Sequence, residues 1–199
     1  MVYPKIQVLP KTGDEQFIFG NETLSFSLVD FWKWSASDLI SNTMRGVLAE
    51  FIISKALGIE SPFTREEWAP WDLTTPEGIK VEVKSASYIQ SWHQEHLSKI
   101  SFLTPKTRAW DPNTNQQSSE IQRQADVYIF ALLGHQDQQT INPLDISQWS
   151  FWVVPTPVLD ARQRSQHSIT LPSLISLAGK GLTFDSIRGT VLGCIAQSA

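Results

Sequence analysis

Two runs of β-branched and aromatic residues limit most strictly what this chain can fold into. They are ADVYIFALL, residues 125–133, and WSFWVVP, residues 149–155. Such composition favours extended backbone, and long apolar runs of this kind are typical of strands at the centre of a sheet. The two runs therefore predict central strands whose faces are covered by other elements.

A long amphipathic helix is predicted ahead of these strands, in SDLISNTMRGVLAEFIISKALG, residues 37–58. Ser37 suits an N-cap, and Gly58 is placed to end the helix. Glu50 lies at the margin of the apolar stripe among small side chains, which leaves room for another element to approach. The stripe itself recurs at helical spacing and consists of Ile40, Met44, Val47, Leu48 and Phe51.

The next segment, WDLTTPEGIKVEVKS, predicts a β-hairpin over residues 71–85. Its PEG sequence suits a three-residue loop in which Gly78 takes the left-handed conformation. Counting back from this turn places Leu73 opposite Val81 in the antiparallel ladder.

The same register collects the charges of the hairpin on one face. Because side chains alternate along a strand, Asp72 falls opposite Glu82, and Lys84 and Lys80 point the same way. A two-residue loop would shift the pairing by one and set Asp72 against an apolar neighbour, which is chemically worse. The charges therefore share one face.

The rest of the chain predicts one more strand and two helices. ISFLT, residues 100–104, is expected to be a third strand, and about residues 105–122 form a polar loop that is either mobile or a binding loop. Helices are predicted over residues 170–179 and 183–196, with Thr170 and Thr183 as N-caps.

This order of elements predicts a single α/β domain over residues 1–199, with a mixed β-sheet sandwiched between helices and an N-terminal extension at residues 1–34. With 199 residues, 41% of them hydrophobic, the chain suits one domain. Its only cysteine, Cys194, forms no internal disulfide, and neither a secretory signal nor a membrane-length apolar run is present. We expect a cytoplasmic protein without membrane contact.

The net charge of −4 excludes a strongly basic protein that binds polyanions over its whole surface, so any contact with nucleic acid must be local. Two carboxylates that face each other repel, and either a cation between them or protonation of one of them relieves the repulsion. Oxygen ligands in this number suit Mg²⁺, with Mn²⁺ as a substitute, and leave room for a phosphodiester. Lys84 can then orient a water molecule or stabilise the transition state.

The residues of the hairpin resemble the PD-(D/E)XK nuclease superfamily. The segment PWDL supplies Pro70 and Asp72, and VEVKS supplies Glu82 and Lys84. Trp71 separates Pro70 from Asp72, a small departure from the family pattern. The resemblance covers residues 37 to about 103 and implies a restriction-endonuclease-like fold.

It also implies an Mg²⁺-dependent endonuclease with DNA as the preferred substrate. Asp72 and Glu82 are the implied metal ligands, and the main-chain carbonyl of Val83 is an additional one. A glutamate from the preceding helix often joins such a site, and Glu50 matches it by position. Glu50, Asp72, Glu82 and Lys84 are thus the expected catalytic set.

Other interpretations stay open at this stage. Ser85, Gln90 and Gln94 follow the lysine and are candidates for binding the substrate or the carboxylates. The charged face can also be a purely structural, solvated cluster. A non-catalytic nucleic-acid-binding or defence-complex subunit and an RNA-processing nuclease are the alternative functions, and a homodimer is left open.

Overall fold

A computed structural model describes residues 3–60 and 64–196. Its strands are β1 Gln16–Phe19, β2 Glu22–Ser27, β3 Leu73–Thr74, β4 Lys80–Ser87, β5 Ser101–Leu103, β6 Trp110–Asp111, β7 Gln116–Gln117, β8 Val127–Leu133, β9 Trp149–Pro155 and β10 Ser168–Thr170. Its α-helices are α1 Leu28–Ala36, α2 Asn42–Ala56, α3 Thr156–Asp160, α4 Leu171–Ala178 and α5 Ile187–Ala196.

A four-stranded mixed sheet in the order β3-β4-β8-β9 forms the centre of the molecule. Strands β4 and β8 are parallel, whereas β3 pairs with β4 and β9 pairs with β8 in antiparallel ladders. All seven residues of β8 are buried. Both predicted strands form, but only that at residues 125–133 is central, because β9 lies at the edge of the sheet although most of its residues are buried. The predicted C-terminal helices are confirmed.

Each face of this sheet carries its own hydrophobic core. On one face, α2 and α5 pack against alternate residues of β4 and β8, including Val81, Val83 and Ile129. On the other face, α3, α4 and the β5–β10 pair cover the side that includes Tyr128 and Phe130. The predicted mixed α/β architecture is confirmed at this level, with one layer built from helices and strands together.

The predicted third strand forms, but it does not join the central sheet. Strand β5 pairs antiparallel with β10, with Phe102 opposite Ile169, in a separate two-stranded sheet. The ring of Phe102 lies edge-on to Phe130 at a centroid distance of 5.1 Å. Burying this ring on the central sheet fixes where β5 lies, and its pairing partner is more than sixty residues away, so local sequence does not reveal it.

The predicted start of the long helix at Ser37 is wrong. Ser41 is the N-cap of α2, and its hydroxyl accepts a hydrogen bond from the backbone of Met44. Ser37 instead ends α1, a separate helix. Ser27 and Asp30 form a capping box at the start of α1, and this signal at the sequence SLVD was available in the sequence.

The predicted apolar stripe of the same helix is wrong in part, although Leu48 packs against the core. Phe51 is 57% exposed, whereas the buried residues of α2 are Arg45, Ala49, Glu50, Ile52 and Ile53. Ala49 is small enough to let the helix approach the sheet closely, and the two isoleucines then fill the adjacent core. This orientation turns two charged side chains inward, which a count of apolar residues does not anticipate.

Two segments outside the central sheet have more structure than the sequence suggested. The N-terminal extension predicted at residues 1–34 contains the β1–β2 hairpin and reaches into α1, a helix with no buried residue. The segment at about residues 105–122 contains the β6–β7 hairpin, in which Asn115 has a φ of 56°. Among the described residues, no helix is long and apolar enough to cross a membrane.

The turn of the β3–β4 hairpin has the predicted form. Gly78 has a φ of 86°, and its N–H donates to the carbonyl of Thr75 at 2.9 Å. The pairing of Leu73 with Val81 confirms the predicted register.

Gly78→Ala is expected to lower the free energy of unfolding by about 1 kcal/mol, because a Cβ atom disfavours the left-handed conformation. No heavy atom lies within 4 Å of the added Cβ, so the cost is one of backbone conformation alone. Urea unfolding measures the change. Gly46 of α2 has equally open space and is a matched control. Gly46→Ala should raise stability by about 0.8 kcal/mol, and equal effects of both changes would contradict the turn assignment.

Candidate active site

Asp72 is fixed against the backbone of β4 at the point where β3 ends. Its N–H donates to the carbonyl of Val81 at 3.1 Å. Its carboxylate oxygen Oδ2 accepts a hydrogen bond from the N–H of Val83 at 2.7 Å. The ladder of β3 stops at Leu73, so the carboxylate of Asp72 takes the place that a further strand residue would have at this edge.

Glu82 and Lys84 alternate with the buried residues Val81 and Val83 along β4. Both side chains are partly buried, and Lys84 Nζ donates to Glu82 Oε1 at 2.6 Å. Tyr128 of β8 lies beside Glu82 in the parallel ladder. Burial, together with the negative charge of Glu82, raises the pKa of the Tyr128 hydroxyl, so this phenol stays protonated at neutral pH.

The electrostatics show that the acidic residues lie close to one another. Burial, followed by the neighbouring charges of Glu82 and Glu50, raises the pKa of Asp72 to about 7. The hydrogen bond from Val83 and the charge of Lys84 act in the opposite direction but do not cancel the effect. Asp72 therefore sits in a cluster that has too little positive charge to ionise it easily.

Glu50 reaches this cluster from α2. It is only 9% exposed, and Arg65 donates to it through two hydrogen bonds, Nε to Oε2 at 2.5 Å and Nη2 to Oε1 at 2.8 Å. The charge of Asp72 also acts on Arg65 and contributes to raising the pKa of its guanidinium. Arg65 is thus a basic member of the site that the sequence analysis did not identify.

Removing Arg65 should leave the buried carboxylate of Glu50 without its partner. We expect Arg65→Met to lower the metal-free stability by about 1–3 kcal/mol at neutral pH, as for other lost hydrogen bonds to charged groups. In the double variant with Glu50→Gln, the cost of the same change should shrink, because no buried charge is then left unpaired. Thermal melting of the four proteins in EDTA gives the coupling, and additive changes would show that the pair is unimportant.

The donor set of the cluster fits a hard divalent cation. Asp72 and Glu82 each use one oxygen for a protein hydrogen bond, and among the described residues no hydrogen-bond donor meets their other oxygens. Two carboxylates together with the main-chain carbonyl of Val83 suit Mg²⁺, which keeps several water molecules among its ligands. Within residues 3–60 and 64–196, no group of three or more His, Cys, Asp or Glu is arranged to hold a metal, so Glu50 does not complete a three-residue ligand set in this geometry.

The three polar candidates after the lysine lie together but make internal contacts. Ser85 Oγ and Gln90 Oε1 both accept hydrogen bonds from Arg45, at 3.2 and 3.3 Å. Gln94 Oε1 accepts from the backbone N–H of Gln90 at 2.6 Å. Arg45, which organises two of them, was missed because the predicted apolar stripe did not include it; in the structure it is buried together with Ala49, four residues further along α2.

Comparison with known proteins identifies a nuclease family for this chain. A family model described as bacteriophage T4 endonuclease IV matches residues 21–171, well over half of the 199 residues. The match includes Glu50, Asp72, Glu82 and Lys84. A search of curated proteins finds no significant relative. The chain therefore belongs to the bacteriophage T4 endonuclease IV family, which is a family of nucleases.

Proposed function

We propose that this protein is an Mg²⁺-dependent endonuclease that hydrolyses phosphodiester bonds, with DNA as its preferred substrate. The observation that carries the proposal is the arrangement at the end of the hairpin, where Asp72 accepts a hydrogen bond from the N–H of Val83 and Lys84 donates to Glu82. In this setting burial and the charge of Glu82 raise the pKa of Asp72 to about 7. A carboxylate pair in this state is relieved by a divalent cation. Membership of an endonuclease family supports using such a site for phosphodiester cleavage.

Asp72, Glu82 and the main-chain carbonyl of Val83 would hold the ion. The N–H of Val83 points to the carboxylate of Asp72, and the N–H and C=O of one strand residue point to the same edge. The carbonyl of Val83 therefore lies on the same edge of β4 as the carboxylate of Asp72. When bound there, Mg²⁺ supplies Lewis-acid stabilisation of the charge on the phosphate oxygens.

Lys84 and Glu50 have supporting parts in this proposal. The ammonium group of Lys84 is already at the carboxylate of Glu82, 2.6 Å away, and from there it can donate to a phosphate oxygen or orient the attacking water. Glu50 adds a third negative charge near the ion. Its pair with Arg65 offsets part of that charge, although Glu50 still contributes to the raised pKa of Asp72.

The fold, the cellular location and the oligomeric state are part of the same proposal. The fold is proposed to be the restriction-endonuclease-like one of the PD-(D/E)XK superfamily, because the acidic pair and the lysine lie at the end of a β-hairpin on a mixed sheet. A cytoplasmic location is proposed with it, and a homodimer stays open as the assembly.

The function is tested by titrating the protein with Mg²⁺ or Mn²⁺ and offering plasmid, linear and single-stranded DNA and RNA. We expect metal-dependent nicking or cutting of DNA within the strand, and none in EDTA. Binding of DNA without cleavage under every condition would support the non-catalytic subunit instead. Preferential cleavage of RNA would support an RNA-processing nuclease.

A further inference from the structure

A cleft of about 470 Å³ opens directly beside Lys84. We call it the Trp92 cleft; its walls are the start of α2 with Arg45, residues 84–87 of β4, the loop with Trp92 and Lys99, and β5. Its volume falls within the range of about 300–1,000 Å³ that is typical of small-ligand sites. A second cleft of about 440 Å³ lies at Arg162 and α4 and contains none of the site residues.

The charge of the Trp92 cleft is opposite to that of the chain as a whole. Arg45, Lys84 and Lys99 line it, and no carboxylate does among the described residues, although the chain carries a net charge of −4. Arg45 is 4% exposed, and all four acceptors that it meets are neutral oxygens, on Ile40, Asn42, Ser85 and Gln90. Its burial accordingly lowers the pKa of the guanidinium.

A buried guanidinium without an anion is costly, and phosphate is the anion that arginine binds most readily in nucleic-acid complexes. The positive charge of the Trp92 cleft is therefore suited to binding a phosphate group.

A second and independent observation concerns Ser87 at the end of β4. The residue is 2% exposed and lines the cleft. Its hydroxyl has no hydrogen-bond partner among the described residues. Buried hydroxyl groups are normally satisfied, because an unpaired one costs free energy. A hydroxyl both donates and accepts, so a ligand with polar edge atoms would satisfy it.

Trp92 provides the third element, a large aromatic surface. It is 54% exposed, which leaves its indole ring accessible in the wall of the cleft. Aromatic side chains next to basic residues are the usual platform on which unstacked bases bind. The internal bonds of Gln90 to the backbone of Ser87 and to Ser98 hold the cleft wall in place.

We propose that the Trp92 cleft binds one nucleotide of the substrate strand next to the phosphate that is cut, with its base against Trp92 and Ser87 and a phosphate near Arg45. The base must leave the helical stack to enter, because a stacked base cannot reach a concave site. Lys84 joins the cleft to the carboxylates, so the nucleotide bound there adjoins the reacting phosphate. This subsite rests on the proposed nuclease function.

The test measures binding of a short fluorescein-labelled oligodeoxynucleotide of mixed sequence, with Ca²⁺ in place of Mg²⁺ to keep the probe intact. Trp92→Ala should weaken binding about tenfold, as for loss of one stacked base. Ser87→Ala should weaken it about fivefold without loss of thermal stability, because its hydroxyl has no partner to lose. Trp34 is 84% exposed on α1, and Trp34→Ala is the matched control that should bind as the wild type does.

A series of probes, each lacking the base at one position, locates the nucleotide. For the wild type, removing the base at one position near the cut should weaken binding about tenfold. In Trp92→Ala, removing that base should have no further effect. A destabilised protein would lose affinity for every probe instead. Trp92→Phe should restore most of the binding, since a phenyl ring also stacks on a base.

The outcomes separate the subsite from the nuclease function. If the wild type cuts DNA with Mg²⁺ but Trp92→Ala binds and cuts as the wild type does, the subsite is wrong and the function stands. If no metal supports cleavage but the loss of affinity at one missing-base position depends on Trp92, the proposed function is wrong and the cleft is still a nucleotide site. A wild type that neither binds nor cuts any probe overturns both.

Discussion

Asp72→Asn is expected to abolish cleavage and weaken Mg²⁺ binding while making the metal-free protein more stable above neutral pH. The amide keeps an oxygen that can accept the hydrogen bond from Val83, but it removes the negative charge that Glu82 and Glu50 oppose. Stability then rises because a buried charge, and its repulsion by Glu82 and Glu50, are gone, whereas the metal loses a charged ligand.

The effect on stability should depend on pH in a defined direction. The pKa of the Asp72 carboxyl is about 7 in the folded protein, against an ordinary value of 3.8. A carboxyl with a raised folded-state pKa contributes stability that is fully present below the unfolded value and is lost as the pH rises through the folded value. In EDTA, Asp72→Asn and wild type should therefore melt alike near pH 3.8, and the variant should gain on the order of a few kcal/mol above pH 7.

Asp126 offers a matched control for this change. Its carboxylate also accepts a backbone N–H of β4, that of Lys80, at 2.8 Å, but it is exposed and belongs to no carboxylate cluster among the described residues. Asp126→Asn should leave cleavage and metal binding unchanged and should not stabilise the protein. If wild type neither gains stability from Mg²⁺ or Mn²⁺ nor cuts any substrate, while Asp72→Asn melts lower in EDTA, the cluster is structural.

Lys84→Ala should lower the cleavage rate about 10²-fold or more, which corresponds to about 3 kcal/mol of transition-state stabilisation. Metal binding should be retained, because the lysine contributes no ligand oxygen. The fold should survive, since the side chain is 29% exposed and forms its ion pair with Glu82, a residue of the same strand. Single-turnover cleavage together with metal titration separates the two quantities.

Lys80 is the corresponding control on the same strand and the same face. Its ammonium lies over the ring of Trp71, 4.4 Å from the centroid, rather than at a carboxylate. Lys80→Ala should change the cleavage rate by less than about twofold, as expected for a group that does not meet the reacting phosphate. Comparable losses for Lys80→Ala and Lys84→Ala would mean that both act through general attraction of the polyanion.

Local chemistry was enough to predict the hairpin and its register. The TPEG turn needs Gly78 in the left-handed conformation, and that requirement fixes Leu73 opposite Val81. The side-chain alternation of β4 then follows, with Glu82 and Lys84 on one face. The acidic pair and its lysine were predictable because a few residues of contiguous sequence determine their geometry.

The features that were missed depend on contacts between distant parts of the chain. Arg65, which bonds Glu50, lies in a segment with no secondary structure. Arg45 is buried because α2 turns toward the sheet the face that also carries Ala49. Strand β5 finds its partner in β10. In each case contacts between distant residues determine which side chain is buried or which strands pair. Local propensities for helix and strand are too weak to determine this, so it could not be predicted from the sequence alone.

The two carboxylates proposed as metal ligands are held by parts of the fold that should differ widely in local stability. Glu82 belongs to β4, which pairs over seven residues with the wholly buried β8, so its amide hydrogens should exchange with solvent only when the whole domain unfolds. Asp72 lies at the end of a ladder of only two residue pairs. Such an end opens by local fluctuation at a small fraction of the free energy of global unfolding. Metal affinity would then include the cost of keeping this end closed, and hydrogen exchange at Asp72 should slow when the ion binds while that of β8 stays unchanged.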